Sequence, residues 1–532
     1  MKKTTYASHR SVVYAQHGMV ATTQPLAAQA GLDILKQGGN AIDAAIAVAA
    51  CLTVVEPTSN GIGGDNFALV WYDHKLYGLN SSGHAPKGLS IDSLKENGLK
   101  EMPRFGFAPV TVPGAVAGWA ELSRRFGRLS LSDVLKPAVT YAKTGFTVSP
   151  TVAYYWQRAV DIYKKVLTDD MFKYWFDTFT KDGVAPNEGD LWMFPDHAKT
   201  LESIGSTEGK SFYEGTLADQ IDEFSKKHKG FISKSDLASF KPEWVMPIST
   251  SYRGHDVWEL PPNGQGLVAL LGLNIIKHLS IGKKETLDTY HKQIEAVKLA
   301  FADGLAYIGD PKSMDVSTDA LLSSDYAKKR AKRVTKNASF FTEGDPTQKG
   351  TVYLATADKD GHMVSLIQSN YMGFGSGLVV PHTGIALHNR GHNFSMDPAS
   401  PNFLKPNKKP FHTIIPGFIT KNNEGIGPFG VMGGFMQPQG HLQVIMNLLD
   451  FNLNPQEALD APRFQWMTGK KIIAEPDLSR RIFNGLLKRG HDIHVEHELG
   501  QFGRGQIILR NPKTGVYCGG TEKRADGSIA SY

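Results

Sequence analysis

Residues 350–369 read GTVYLATADKDGHMVSLIQS, and this stretch decides the fold. Two apolar runs, 352–357 and 363–367, flank Asp358-Lys359-Asp360-Gly361. That tetrad matches a type I turn followed by a glycine in the left-handed region, a hairpin loop centred on Asp360. Residues equally far from the centre face one another. Thr351 therefore faces Ser369, with Cβ atoms about 5 Å apart. A slip of one residue would bring Gln368 there instead. The sequence thus sets two hydroxyl residues side by side at the far end of a rigid hairpin.

Upstream, residues 335–350 end in NASFFTEGDPTQKG, which is polar and aperiodic and reads as an exposed flexible loop. A threonine opening a strand after such a loop is usually only a strand residue. Its hydroxyl is a weak nucleophile that needs a base. A cut between Gly350 and Thr351 would free an α-amino group beside that hydroxyl. With a pKa of about 7.7–8.0, roughly a tenth of such amines are neutral at pH 7. One residue then supplies both nucleophile and base. Gly350 lets the backbone at the scissile bond take strained geometry. Acyl transfer also needs donors for an oxyanion. Gly433-Gly434, after the glycine-rich residues 425–430, offers two unobstructed backbone N–H groups.

Around this centre the chain alternates early helices with later strands. Residues 22–60 read as two helices, with Pro25 at a first turn, Gly38-Gly39 as a stop and Asn40/Asp43 as a cap. Gly61-Ile62-Gly63-Gly64-Asp65 follows a helix and precedes the strand-like residues 67–73, the reverse of a dinucleotide fingerprint, so it reads as a structural turn. Residues 111–145 are helical, broken at Gly127 and capped by Ser132. Residues 150–235 read as ordinary packed helices. Residues 246–260 read as strand, then residues 261–266, PPNGQG, open a helix, and 291–309 form another. Residues 411–419 and 505–510 complete the strand-rich second half. Strands apolar on both faces require helices on each side.

The 532 residues are 41% hydrophobic and 21% charged, so the chain is globular and long enough for a large core. A net charge of +6, spread along the sequence, does not predict a nucleic-acid partner. Cys51 and Cys518 form no disulfide framework and no metal pair. The apolar run 44–55 is too short to span a membrane. No signal-peptide core is visible at the N-terminus, which predicts a cytoplasmic protein. His388 and His392 are four apart with a glycine between them, and no metal or cofactor is expected. No G-x-S-x-G elbow is present, which disfavours a Ser-His-Asp hydrolase.

The chain resembles the gamma-glutamyltransferase (gamma-glutamyl transpeptidase, glutathione hydrolase) family of N-terminal-nucleophile proenzymes, in its divergent cephalosporin-acylase-like branch. The resemblance runs through residues 18–65, VTVPGAVAGW, ELPPNGQG, AFADGLAYIGDP, the hairpin, GGFMQPQGH and NPQEALDAPRFQW. It implies a four-layer αββα sandwich, cut before Thr351 into a large subunit, 1–350, and a small subunit, 351–532, that together form one composite domain. It implies Thr351 as nucleophile, Ser369 where the family has a threonine, and Gly433 with Gly434 as oxyanion donors.

The substrate pocket departs from the family pattern. Ser82 stands where the family's arginine grips the substrate carboxylate. Asn393 replaces the aspartate that holds the substrate ammonium, and Arg390 replaces a glutamine. His412 and Thr413 replace paired serines, and Tyr371 replaces an asparagine. The resemblance implies cleavage of gamma-glutamyl amides, with transfer of the acyl group to water or an amine. Arg390 without the aspartate also suits an acyl group with a carboxylate and no amine, such as glutaryl. A short 395–410 segment leaves the site open to water. A non-catalytic binding protein on the same fold is the reading from another class. The partners implied are a small-molecule amide and the two subunits, possible as a homo-oligomer of the processed pair, with no membrane.

Overall fold

Ala41–Val55 is a helix of small apolar residues, and every one of them is buried. Asn40 starts it through a capping box: its side chain accepts from the Ile42 and Asp43 N–H groups, and Asp43 accepts from the Asn40 N–H. Pro25–Lys36 packs alongside it. These two helices lie over a sheet in which all the central strands are buried on both faces.

The computed structural model describes residues 10–340 and 350–532. Most of the loop expected upstream of Thr351 therefore lies outside the described residues. Two seven-stranded sheets stack face to face. One runs Ser528–Ser531, Gly18–Thr22, Gly350–Asp358, Met363–Tyr371, Asp65–Tyr72, Lys75–Ser81, Glu243–Val245. The other runs Val13–Ala15, Tyr517–Thr521, Arg504–Arg510, Glu424–Met432, Gly417–Lys421, His255–Glu259, Ile248–Tyr252. Met19, Phe67, Leu69, Tyr353, Ile367, Phe418 and Ile508 fill the space between them. The helices of the first half cover the outer face of the first sheet. Gly266–Lys277, Leu287–Tyr307 and Met436–Leu449 cover the outer face of the second. This is the expected four-layer αββα sandwich.

Most sequence expectations hold, and two change. Ser130, not Ser132, caps the helix Leu131–Thr144, its hydroxyl accepting from the Asp133 N–H at 3.1 Å. Residues 411–419 are strand only from Gly417. Before it, His412 makes an isolated parallel bridge to Gly264, and Pro416 has no N–H to give a ladder.

Candidate active site

The hairpin forms as its turn dictates. Gly361 has φ +86°, and Asp358 Oδ1 accepts from the Asp360 and His362 N–H groups. Val352 faces Gln368 and Tyr353 faces Ile367, the register that the turn sets. The register shifts between Gly350 and Val352, so Thr351 sits on a bulge at the start of the strand. A bulge re-aims a side chain. Thr351 Oγ1 lies 3.2 Å from Ser369 Oγ. Both residues are fully buried in the uncut chain. Tyr371, in the left-handed region at φ +77°, turns its N–H back onto Ser369 Oγ at 2.7 Å.

Gly433 and Gly434 follow the strand Glu424–Met432, with φ of +129° and +60°. Both values lie where side chains are rarely tolerated. Gln265 holds this corner, donating through Nε2 to the carbonyls of Gly434 at 2.8 Å and Thr413 at 2.6 Å.

Thr413 leads to the substrate-pocket candidates. Its hydroxyl accepts from Arg390 Nη1 at 2.7 Å. The Arg390 guanidinium stacks 4.2 Å from the centre of the Tyr371 ring, and the Tyr371 hydroxyl donates to Asn393 Oδ1. Asn393 Nδ2 in turn donates to the Phe411 carbonyl at 2.9 Å. A continuous chain of contacts thus joins Thr351, Ser369, Tyr371, Arg390, Thr413, Gln265 and Gly434. Arg390 is fully buried, and its Nε and Nη2 have no hydrogen-bond partner among the described residues. Unpaired buried donors are costly, and a carboxylate would satisfy both.

A model of the family described as Gamma-glutamyltranspeptidase matches residues 27–532. The chain belongs to this family. It is 35% identical to the glutathione hydrolase-like YwrD proenzyme of Bacillus subtilis over 96% of this chain and 97% of that protein. It is 32% identical to the oxamate amidohydrolase proenzyme of Klebsiella pneumoniae, covering 97% of this chain and 98% of that one. Among solved structures, cephalosporin acylase from Bacillus halodurans superposes with a TM-score of 0.96 at 59% identity, over 100% of this chain and 99% of that chain.

In this gamma-glutamyltranspeptidase relative, Gln265 and Asp65 stand among the candidate site residues without having been singled out in the sequence reading. Asp65, the last residue of what reads as a turn, pairs with Ser369 across neighbouring strands. It is fully buried. Its Oδ1 accepts from the Gly83 and Gly114 N–H groups, and its Oδ2 accepts from His412 Nε2 at 3.0 Å. Burial alone would raise its pKa, but His388, His412 and Arg390 outweigh it and hold the carboxyl below its usual range. Burial pushes Arg390 down to about 9, with Asp65 opposing, so it remains a cation at neutral pH. Burial and Arg390 push His412 down to about 3, so its imidazole is neutral. The signal in the sequence was an acidic residue opening an otherwise apolar strand.

Ser82 reaches this network only indirectly. Its hydroxyl donates to Asn80 Oδ1 at 2.7 Å and accepts from Asn263 Nδ2 at 3.3 Å, and the Asn263 carbonyl accepts from the His412 N–H. His388 and His392 point apart. His388 Nε2 donates to the Thr111 carbonyl, and His392 Nδ1 faces the carbonyls of Met102 and Pro103. Among the described residues, no helix is long and apolar enough to cross a membrane.

Proposed function

We propose that this protein is a self-processing threonine hydrolase of gamma-glutamyl-type amides, with Thr351 as its nucleophile. The observation that carries this reading is the buried hydroxyl pair at the bulged start of a strand, Thr351 Oγ1 against Ser369 Oγ at 3.2 Å. In the first step Thr351 Oγ1 attacks the Gly350 carbonyl carbon, and the peptide bond passes to an ester. Water then cleaves the ester, leaving a Gly350 carboxylate and a free Thr351 α-amine. In turnover that amine takes the Oγ1 proton as the oxygen attacks the substrate carbonyl. The N–H groups of Gly433 and Gly434 receive the oxyanion. The leaving amine departs with a proton, and water or another amine removes the acyl group. One preorganised oxyanion donor is typically worth about 2.7–4 kcal/mol of barrier.

A second reading concerns the acyl group, and Arg390 favours it. A buried guanidinium with two donors unpaired among the described residues, beside Asn393, which carries no charge, suits a side chain ending in carboxylate alone. The likeness to a cephalosporin acylase supports this glutaryl-type alternative.

The test is intact-mass spectrometry of the wild-type protein beside Thr351→Ala, followed by turnover of matched gamma-glutamyl and glutaryl anilides. Two chains split before Thr351 in the wild type, one uncut chain in the variant, and hydrolysis of either anilide are expected. A single uncut chain in both would reject self-processing.

A further inference from the structure

Glu259 opens the block ELPPNGQG and His441 closes GGFMQPQGH, and the proposed chemistry uses neither. Glu259 is the last residue of the strand His255–Glu259, before the proposed cut. His441 lies on the helix Met436–Leu449, after it. Both are buried, at 0% and 1% exposure. Glu259 Oε1 stands 2.6 Å from His441 Nδ1, and Glu259 Oε2 has no hydrogen-bond partner among the described residues.

The other side of the His441 ring settles where its hydrogen lies. The Val431 N–H donates to His441 Nε2 at 3.2 Å. Nε2 therefore presents a lone pair, and Nδ1 carries the hydrogen and donates it to Glu259 Oε1. A second proton on the ring would cost the Val431 bond. Burial acts in the same direction, pushing His441 down to about 3 and the Glu259 carboxyl well above its usual range. The pair is a neutral imidazole against a neutral acid, with the acid's proton on Oε2.

The pair holds the strand end that delivers the oxyanion glycines. The ladder between Gly417–Lys421 and Glu424–Met432 stops at Gly417 and Phe429. Val431 lies beyond it, two residues before Gly433, where the His441 ring takes over as acceptor. The packing is close on both sides. A Cβ on Gly440 would come within 2.7 Å of Val431 Cγ1, and one on Gly266 within 3.1 Å of Glu259 Oε2. Gly266 follows Gln265, whose Nε2 donates to the Gly434 carbonyl at 2.8 Å. Glu259 is thus seated between two supports of one corner, the first reaching Val431 and the second Gly434.

We infer that Glu259 and His441 are a positioning pair for the oxyanion corner: Glu259 orients the ring, and the ring holds Val431 so that the Gly433 and Gly434 N–H groups stay aimed at the reacting carbonyl. The inference rests on the hydrolase reading for its readout. It assigns neither residue a contact with substrate.

The experiment measures kcat and KM for the gamma-glutamyl and glutaryl anilides in Glu259→Gln, Glu259→Asp and His441→Phe. Intact mass gives the processed fraction to which kcat is referred, and circular dichroism checks each fold. Losing one oxyanion donor outright costs about a hundredfold to a thousandfold in kcat, so a slackened corner should cost at least about tenfold. Glu259→Asp keeps the charge but withdraws the carboxyl, and His441→Phe keeps a ring but removes the acceptor. Both are expected to lose at least that in kcat on both anilides, with KM within about twofold of the wild type. Glu259→Gln keeps the reach and a neutral acceptor and should retain most of kcat. A neutral pair requires Gln above Asp, and an ion pair would reverse that order. Unchanged kcat in a folded Glu259→Asp or His441→Phe overturns the pair's role, as does a loss carried by KM. Should those two fail to fold, Glu259→Gln decides: retained kcat supports the pair, and a loss of about tenfold or more overturns it. Wild-type protein that hydrolyses neither anilide rejects the hydrolase reading, and the pair's role with it.

Discussion

Asp65 and Ser369 face each other across two neighbouring strands, one on each side of the proposed cut. The strand Asp65–Tyr72 belongs to the part before Thr351, and Met363–Tyr371 to the part after it. The two parts interleave within both sheets, so a cut peptide bond leaves the ladders intact. The processed protein is expected to run as one species on native size exclusion and as two chains after denaturation. Two species under native conditions would contradict the interleaved reading.

Ser369→Ala removes the hydroxyl beside Thr351 and also the acceptor of the Tyr371 N–H. Leaving a buried group unpaired costs about 1–3 kcal/mol. A loss in kcat of roughly tenfold to a hundredfold is expected, and Ser369→Thr should restore most of it. Unchanged kcat in Ser369→Ala would remove Ser369 from the machinery.

Arg390 and Asn393 should set the acyl preference. Arg390→Met is expected to raise KM for a glutaryl anilide by at least about tenfold, since a charged hydrogen bond is worth about 1.5–3 kcal/mol. Asn393→Asp adds a negative partner for an ammonium group. It should shift the ratio of kcat/KM toward the gamma-glutamyl anilide. A ratio that moves the other way would assign the acyl group to a different wall.

Glu56 offers a prediction about stability. It is fully buried, and burial raises its pKa to about 7 against the pull of Arg504 and of the Thr23 hydroxyl. A carboxyl whose folded pKa exceeds its unfolded value binds its proton more tightly when folded. Its contribution is complete below the unfolded pKa of about 4.3 and is lost as pH rises through about 7. The scale is on the order of 3 kcal/mol. Glu56→Gln should therefore flatten the fall in Tm between pH 5 and about 7.5 relative to the wild type. Parallel Tm profiles would show that Glu56 titrates normally.

The hairpin was legible because its register rests on local turn chemistry. Asp358, Asp360 and Gly361 fix the turn, and counting from it gives the pairing of Val352 with Gln368 and brings Thr351 beside Ser369, although the bulge at Thr351, which no turn residue announces, takes it out of the regular ladder. Asn40 and Asp43 were legible for the same reason, as a capping box spans four residues. Asp65 was not, because its meaning comes from partners far along the chain: His412, His388 and the N–H groups of Gly83 and Gly114. Ser130 lost to Ser132 in the sequence reading because two serines flank the same leucine and either could cap. Residues 411–416 look like strand by composition. Their backbone is instead drawn to Asn263, Gln265 and Gln437, contacts that no local pattern announces.

The strand Gly350–Asp358 lies in the interior of its sheet, with Gly18–Thr22 on one side and Met363–Tyr371 on the other. Folding of the whole chain is a one-molecule event. After a cut at its start, refolding needs two fragments to meet, so recovery depends on protein concentration and slows with dilution. Under the proposed cut, the covalent connection between the two fragments is spent in making the nucleophile. Such a molecule has one efficient opportunity to assemble, and its working life is set by how slowly it opens rather than by how readily it re-forms.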